Sequence, residues 1–189
     1  MTIVNLRGPS GSGKTTTARK VLEYLDHTEW GEGYVNRFGS KRPKGFPSHL
    51  CLTPVGRVWV HGRYDVQQGG CDTEKDMDVV ERELERMIQK YPDDHHLFEG
   101  LMISAAKTRW FDFIVRNPGR WVWAWMDTPP EECAKRVMVR NGGRQISTKE
   151  IESGYRTMMT QKREIAQFGI KGIIVKTHSA DDDPWELFK

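Results

Sequence analysis

No apolar run in this 189-residue chain approaches the roughly 20 residues that cross a bilayer, so a membrane-spanning protein is excluded from the reading. The opening MTIVNLRGPSG holds no apolar signal region, and secretion is not expected. Cysteine is sparse. Cys51, Cys71 and Cys133 are scattered and odd in number, which fits a reduced, cytoplasmic setting better than a disulfide framework. Internal repeats and low-complexity segments are missing. Acidic residues are missing from 33–64, a window that holds Arg37, Lys41, Arg42, Lys44, Arg57 and Arg63. That window carries +6 against +3 for the whole chain, so the remainder carries −3. Such a block is either a solvated loop or a surface for a polyanion, where cations replace condensed counterions.

The chain does have enough length for one domain with a full core, with 37% hydrophobic and 29% charged residues. Thr2 to Leu6 reads as an apolar strand running into a Gly-rich turn, followed by a helix from Thr15 to Leu25. The pieces YVNRF, HLCLTPV and RVWVHG within 33–64 read as short β segments between Gly and Pro. Met77, Val80, Leu84, Met87 and Ile88 recur at helical spacing within Thr73 to Tyr91. His96 to Phe98 is a strand ending at Glu99-Gly100, and Ser104 to Arg116 is a helix. Trp121, Trp123 and Trp125 alternate along a strand and belong to one face of the core. Thr128-Pro129-Pro130-Glu131 has the form of a capping box and opens a helix to Arg140. Ser147 and Glu150 open another, and Gly172 to Lys176 is a last strand. Strands alternating with helices predict an α/β fold with a mainly parallel sheet and a binding face at the strands' carboxyl ends.

Gly8-Pro9-Ser10-Gly11-Ser12-Gly13-Lys14-Thr15 matches G-x-x-x-x-G-K-[ST] and sits between a predicted strand and a helix. Backbone N–H groups of Gly8, Ser10, Gly11, Ser12, Gly13, Lys14, Thr15 and Thr16 can curl around phosphate oxygens at a helix N-terminus. Lys14 can reach the β- and γ-phosphates of ATP, and the Thr15 hydroxyl suits Mg²⁺. A GTPase box such as N-K-x-D is absent, and the chain is short for a motor ATPase. Glu99 is a second candidate at the metal, or a base for an acceptor hydroxyl. Arg136, Arg140 and Arg144 recur every four residues, and Gly142-Gly143 loosens the third. They suit charge stabilisation of a transferring phosphoryl, although a basic helix end also complements the macrodipole.

On residues 8–15, on Phe98-Glu99-Gly100 and on DTPPEECAKRVMVRNGGR at 127–144, the chain resembles the P-loop kinases related to nucleoside monophosphate kinases and polynucleotide kinases. The resemblance implies one kinase domain over 1–189 of the P-loop NTPase type, three layers αβα. It implies a five-stranded, mainly parallel sheet, an Arg-bearing lid over 136–148 and an inserted basic β-rich segment over 33–64. GRYD…GGCDT followed by FEGLMIS is similar to bacteriophage 5-hydroxymethyluracil DNA kinases. That likeness implies transfer to the hydroxymethyl group of a base in DNA, in the host cytoplasm, with ATP and Mg²⁺ and no required protein partner. An Asp-Arg-Tyr/His substrate motif, as in monophosphate kinases, does not follow the FEG strand end.

The stretch HGRYDVQQGGCDT at 61–73 then lies where such folds line the acceptor. Asp65 is the candidate base beside Glu99, Arg63 a phosphate contact, Tyr64 a stacking platform, and Gly69-Gly70 a close backbone approach. Asp72 belongs to the same pocket or caps the next helix. Arg37, Lys41, Arg42 and Lys44, interleaved with Tyr34, Phe38, Phe46 and Trp59, suit a nucleic-acid strand. Four functions remain open at this point: a kinase of hydroxymethylated DNA, a deoxynucleoside monophosphate kinase, a 5′-hydroxyl polynucleotide kinase, and a nucleotide switch without transfer.

Overall fold

The computed structural model describes residues 1–31, 34–35, 41–42, 46–66, 69–144, 147–168 and 172–189. In chain order the elements are β1 (Thr2–Arg7), α1 (Lys14–Leu22), β2 (Leu25–Trp30), β3 (Tyr34–Val35), β4 (Lys41–Arg42), β5 (Pro47–Thr53), β6 (Gly56–His61), α2 (Met77–Lys90), β7 (His95–Glu99), α3 (Leu101–Ala105), α4 (Lys107–Arg116), β8 (Arg120–Met126), α5 (Pro130–Arg140), α6 (Thr148–Phe168) and β9 (Ile173–His178). Short 3₁₀ turns lie at Cys71–Thr73 and Pro184–Leu187.

This is an α/β fold on a mixed sheet of seven strands, in the order β2-β5-β6-β7-β1-β8-β9. The strands from β6 to β9 run parallel to one another. β5 and β2 join antiparallel at one edge. The resemblance implies five strands. The extra pair arises because part of the expected insert is core sheet, and because the chain after α1 turns back along it. Among the described residues, β3 and β4 form a separate two-stranded ladder. The helix expected to reach Leu25 stops at Leu22, and Leu25–Trp30 becomes the edge strand. Its LDHTEW composition hides the strand, because an edge exposed on one side needs little apolar patterning.

Alternation along each strand sorts the core into two faces. Ile3, Phe98, Trp121, Trp123 and Trp125 pack with Leu84, Trp110, Phe113, Met158 and Ile165 on one face. Val4, Leu6, Val60, Leu97, Val122 and Ala124 pack with Ala18 and Val21 of α1 on the other. The three β8 tryptophans are fully buried, as their alternation implies. Each removes about 150–250 Å² from water, on the order of 4–6 kcal/mol before entropy. Phe46 and Trp59, read as part of a nucleic-acid surface, are buried instead. Trp59 stacks on Tyr91 and donates from its indole to Asp94 at 2.9 Å.

The Asp72-Thr73 pair does not cap α2. That helix starts at Met77, with the Asp76 carboxylate accepting from the Asp78 N–H at 3.0 Å. Thr128 does not cap α5 either. Its hydroxyl donates to the Ser12 carbonyl at 2.8 Å and ties the strand end to the phosphate loop.

Candidate active site

β1 delivers the chain to Gly8 at its carboxyl end, where the loop must reverse before α1 begins. The reversal needs Gly13, whose φ of 100° lies in the left-handed region and whose added Cβ would stand 2.6 Å from Ala180. Gly13 is the N-cap residue and brings no capping side chain, so the first N–H groups of α1 are left for an anion. The Gly8 N–H donates to Ser104 Oγ at 3.3 Å, which anchors the loop to α3. Lys14 folds back, its ammonium donating to the carbonyls of Gly8 at 2.7 Å and Pro9 at 3.0 Å. Burial pushes its pKa down, and the negative charges of Glu99 and Asp72 resist.

Beside it, β7 ends at Glu99. The Thr15 hydroxyl donates to Glu99 Oε1 at 2.8 Å. Burial raises the Glu99 carboxyl to about 7, while Lys14 and the Thr15 hydrogen bond pull the other way. Asp72 completes the group from the 3₁₀ turn. Its two oxygens accept the N–H groups of Leu101 and Met102 at 2.5 and 3.1 Å, capping α3 across the site.

These groups share one pocket of about 220 Å³. Among the described residues it is lined by Ser10, Gly11, Ser12, Gly13, Lys14, Thr15, Thr16, Arg19, Gly69, Asp72, Glu99, Leu101, Arg136 and Arg140. The phosphate loop, both carboxylates and two of the three arginines therefore converge. Gly70 lies directly behind, where an added Cβ would meet Glu99 Oε1 at 2.4 Å.

Gly8 and Gly70 are not among the lining residues, and Asp65, Arg63, Tyr64 and Arg144 stand outside the pocket as well. Asp65 is exposed and held by Arg63 through two hydrogen bonds of 3.1 and 2.6 Å. Arg63 holds that carboxyl below its ordinary range. Tyr64 packs half-buried against the β1–β6 core and donates to the His61 carbonyl at 3.4 Å. Arg144 is exposed past the Gly142-Gly143 turn. Arg37 and Lys44 lie outside the described residues, as do the side chains of Lys41 and Arg42.

Sequence reasoning passes over two lining residues, Leu101 and the more telling Arg19. Arg19 follows Thr15 by one helical turn, so the two share a face of α1, a spacing that was there to be read. Its guanidinium donates to the Val66 carbonyl at 2.8 Å, joining the loop's helix to the 62–72 segment.

The oxygen donors Thr15 and Glu99, with room for phosphates beside them, suit a hard cation such as Mg²⁺. Among the described residues there is no group of three or more His, Cys, Asp or Glu side chains that would hold a metal without such phosphates. None of the described helices is long and apolar enough to cross a membrane.

A family profile for 5-hmdU DNA kinase matches residues 2–171. A 5-hmdU DNA kinase of Pseudomonas phage M6 is 28% identical over 164 residues, covering 84% of this chain and 82% of that protein. A 5-hmdU DNA kinase 1 of Salmonella phage ViI is 32% identical over 140 residues, covering 73% of this chain but 59% of its own length. A 5-hmdU DNA kinase of Pseudomonas phage PaMx11 is 28% identical over 182 residues, covering 89% and 87%. Among solved structures, a deoxyadenosine kinase from M. mycoides with bound dATP is matched over 97% of this chain and 94% of that one, at 12% identity and a TM-score of 0.39.

Proposed function

This chain belongs to the 5-hmdU DNA kinase family, and from that premise we propose that it moves the γ-phosphoryl of ATP onto the hydroxymethyl oxygen of 5-hydroxymethyluracil within DNA. The observation that carries the reading is the convergence of Lys14, the Thr15–Glu99 pair, Asp72, Arg136 and Arg140 on one pocket. It holds a triphosphate cradle, a metal position and a spare carboxylate together.

The loop amides and Lys14 bind the β- and γ-phosphates. Thr15 and Glu99 would hold Mg²⁺, which supplies charge neutralisation of the triphosphate when bound. Asp72 is the remaining carboxylate of the pocket. Each of its oxygens keeps a lone pair beyond the α3 N–H bond, so it can take the hydroxyl proton as the new O–P bond forms and the bond to the β–γ bridging oxygen breaks. Asp65 is not assigned this task, because it stands exposed outside the pocket, paired with Arg63 at the surface. Arg136 and Arg140 stabilise the charge on the transferring group. They stand on α5, where the lid over 136–148 begins, with Arg144 joining on closure. The reaction belongs to the cytoplasm of the infected cell, where the DNA substrate lies.

The test is transfer of label from γ-labelled ATP with Mg²⁺ to a panel of acceptors. The panel holds duplex DNA bearing internal 5-hydroxymethyluracil, thymine DNA with free 5′-hydroxyls, and each free deoxynucleoside monophosphate. Internal label in the modified duplex alone is expected. Label confined to a monophosphate or to 5′ ends overturns the reading.

A further inference from the structure

A second recess adjoins the phosphate pocket at Leu101, whose N–H Asp72 accepts, and the phosphoryl donor does not fill it. Among the described residues it is lined by Pro9, Ser10, Leu101, Val137, Ser147, Glu150, Ile151 and Gly154, and its volume is about 200 Å³. Pro9 and Ser10 belong to the phosphate loop, Leu101 opens α3, Val137 comes from α5, and Ile151 and Gly154 come from the first turns of α6. The recess shares Ser10 and Leu101 with the phosphate pocket, so the two are neighbours across one wall.

We infer that this recess receives the target pyrimidine, swung out of the DNA stack, and presents its 5-substituent to the transferring phosphoryl. The inference rests on the DNA kinase reading and adds where the base goes. Size comes first. A cavity of about 150 Å³ accommodates a benzene ring, whereas pockets for whole drug-sized ligands begin near 300 Å³. A space of about 200 Å³ fits one substituted six-membered ring without its sugar. The chemistry of the walls comes second. Leu101, Val137, Ile151 and Pro9 offer apolar surface for a ring face, while Ser10, Ser147 and Glu150 offer a few polar groups for its edge. Leu101 remains 41% exposed between the two pockets, a large apolar side chain that the core leaves uncovered. Charge comes third. Arg136 and Arg140 line the neighbouring pocket, so a phosphodiester backbone passing beside the recess meets cations. A base inside a duplex cannot reach a buried phosphate loop, and enzymes acting on such a base extrude it.

Gly154 makes the inference testable. It lines the recess from a helix, and an added Cβ would meet no atom within 4 Å. A Cβ at 154 is therefore accommodated without a clash, and larger side chains extend from this wall of the recess. The series Gly154→Ala, Gly154→Val and Gly154→Leu would be assayed for label transfer to 5-hydroxymethyluracil duplex, and separately for affinity toward a non-hydrolysable ATP analogue. A 2-aminopurine placed next to the modified base reports unstacking on binding. Expected is a loss of transfer that grows with side-chain size, reaching about 100-fold at Leu, with analogue affinity flat and the 2-aminopurine signal fading in step. Undiminished transfer through the whole series, with an active wild type, overturns the recess and leaves the kinase reading standing. A wild type that transfers nothing but unstacks the base, an effect abolished by Gly154→Leu, keeps the recess and overturns the kinase reading. A wild type that does neither overturns both.

Discussion

Glu99 sits where burial and function pull in opposite directions. Its carboxyl is raised to about 7 by desolvation, yet holding a cation requires the charged form. With the free enzyme, kcat/KM should therefore rise as pH climbs through about 7. Glu99→Gln should remove that limb and cut kcat by about 100-fold or more. The stability effect has the opposite sense. The unfolded Glu titrates near 4.3, so the folded state holds the extra proton between there and about 7. Its stabilising effect is complete below the lower value and lost as pH rises through the upper one. Glu99→Gln should thus raise the Tm of the nucleotide-free protein at pH 8 and change it little at pH 4, measured by thermal melts at both. A second residue-scale contrast separates the carboxylates. Asp72→Ala should lower kcat on 5-hydroxymethyluracil DNA by about 100-fold or more and cost about 1 kcal/mol as a lost helix cap. Asp65→Ala should stay within a few-fold, since its partner Arg63 lies at the surface. Equal losses in both would contradict the assignment of Asp72.

Among the elements, the segment from Gly62 to Thr73 decides which carboxylate enters the pocket. Its ends are pinned: the Gly62 N–H donates to the Pro47 carbonyl at 3.0 Å, and Arg63 and Gly70 exchange backbone hydrogen bonds of 3.3 and 2.7 Å. That bridge sends residues 65 and 66 outward and turns Asp72 inward. Gly70 is the hinge of the arrangement, with φ of 80° and the Glu99 carboxylate against its α-carbon. Gly70→Ala should cost about 1–3 kcal/mol from backbone strain, and should displace Glu99, lowering kcat together with stability in denaturant melts. None of this was written locally. The phosphate loop, the FEG strand end and the helix carrying Arg136 and Arg140 were legible because each motif and its partners lie within one strand-turn-helix unit. Asp72 could not be told from Asp65 because the N–H groups that hold it come from α3, 29 and 30 residues onward. Arg19 was legible in principle, one turn past Thr15, but carries no motif of its own. β2 was missed because an exposed edge does not impose alternation on LDHTEW.

Over the whole molecule, charge is spread differently from its spread along the chain. Arg57 and Arg63, two of the six cations in 33–64, already face Asp94 and Asp65. Phe46 and Trp59 from the same block fill the core. Arg57→Ala should therefore leave the salt dependence of duplex binding unchanged. A slope reduced by about 0.9 in a titration against salt would show that Arg57 contacts a phosphate instead. The most direct measurement concerns the product. Duplex DNA bearing internal 5-hydroxymethyluracil would be incubated with the protein, ATP and Mg²⁺, stripped of nucleotide, digested by nucleases to 5′-mononucleotides with no phosphatase, and resolved by mass spectrometry. Expected is 5-hydroxymethyldeoxyuridine 5′-monophosphate carrying a second phosphate on its hydroxymethyl oxygen, absent when Lys14→Ala replaces the wild type. 5-Hydroxymethyldeoxyuridine 5′-monophosphate without the second phosphate throughout, with new phosphate found only at strand ends or on free nucleotides, would contradict phosphorylation of the base.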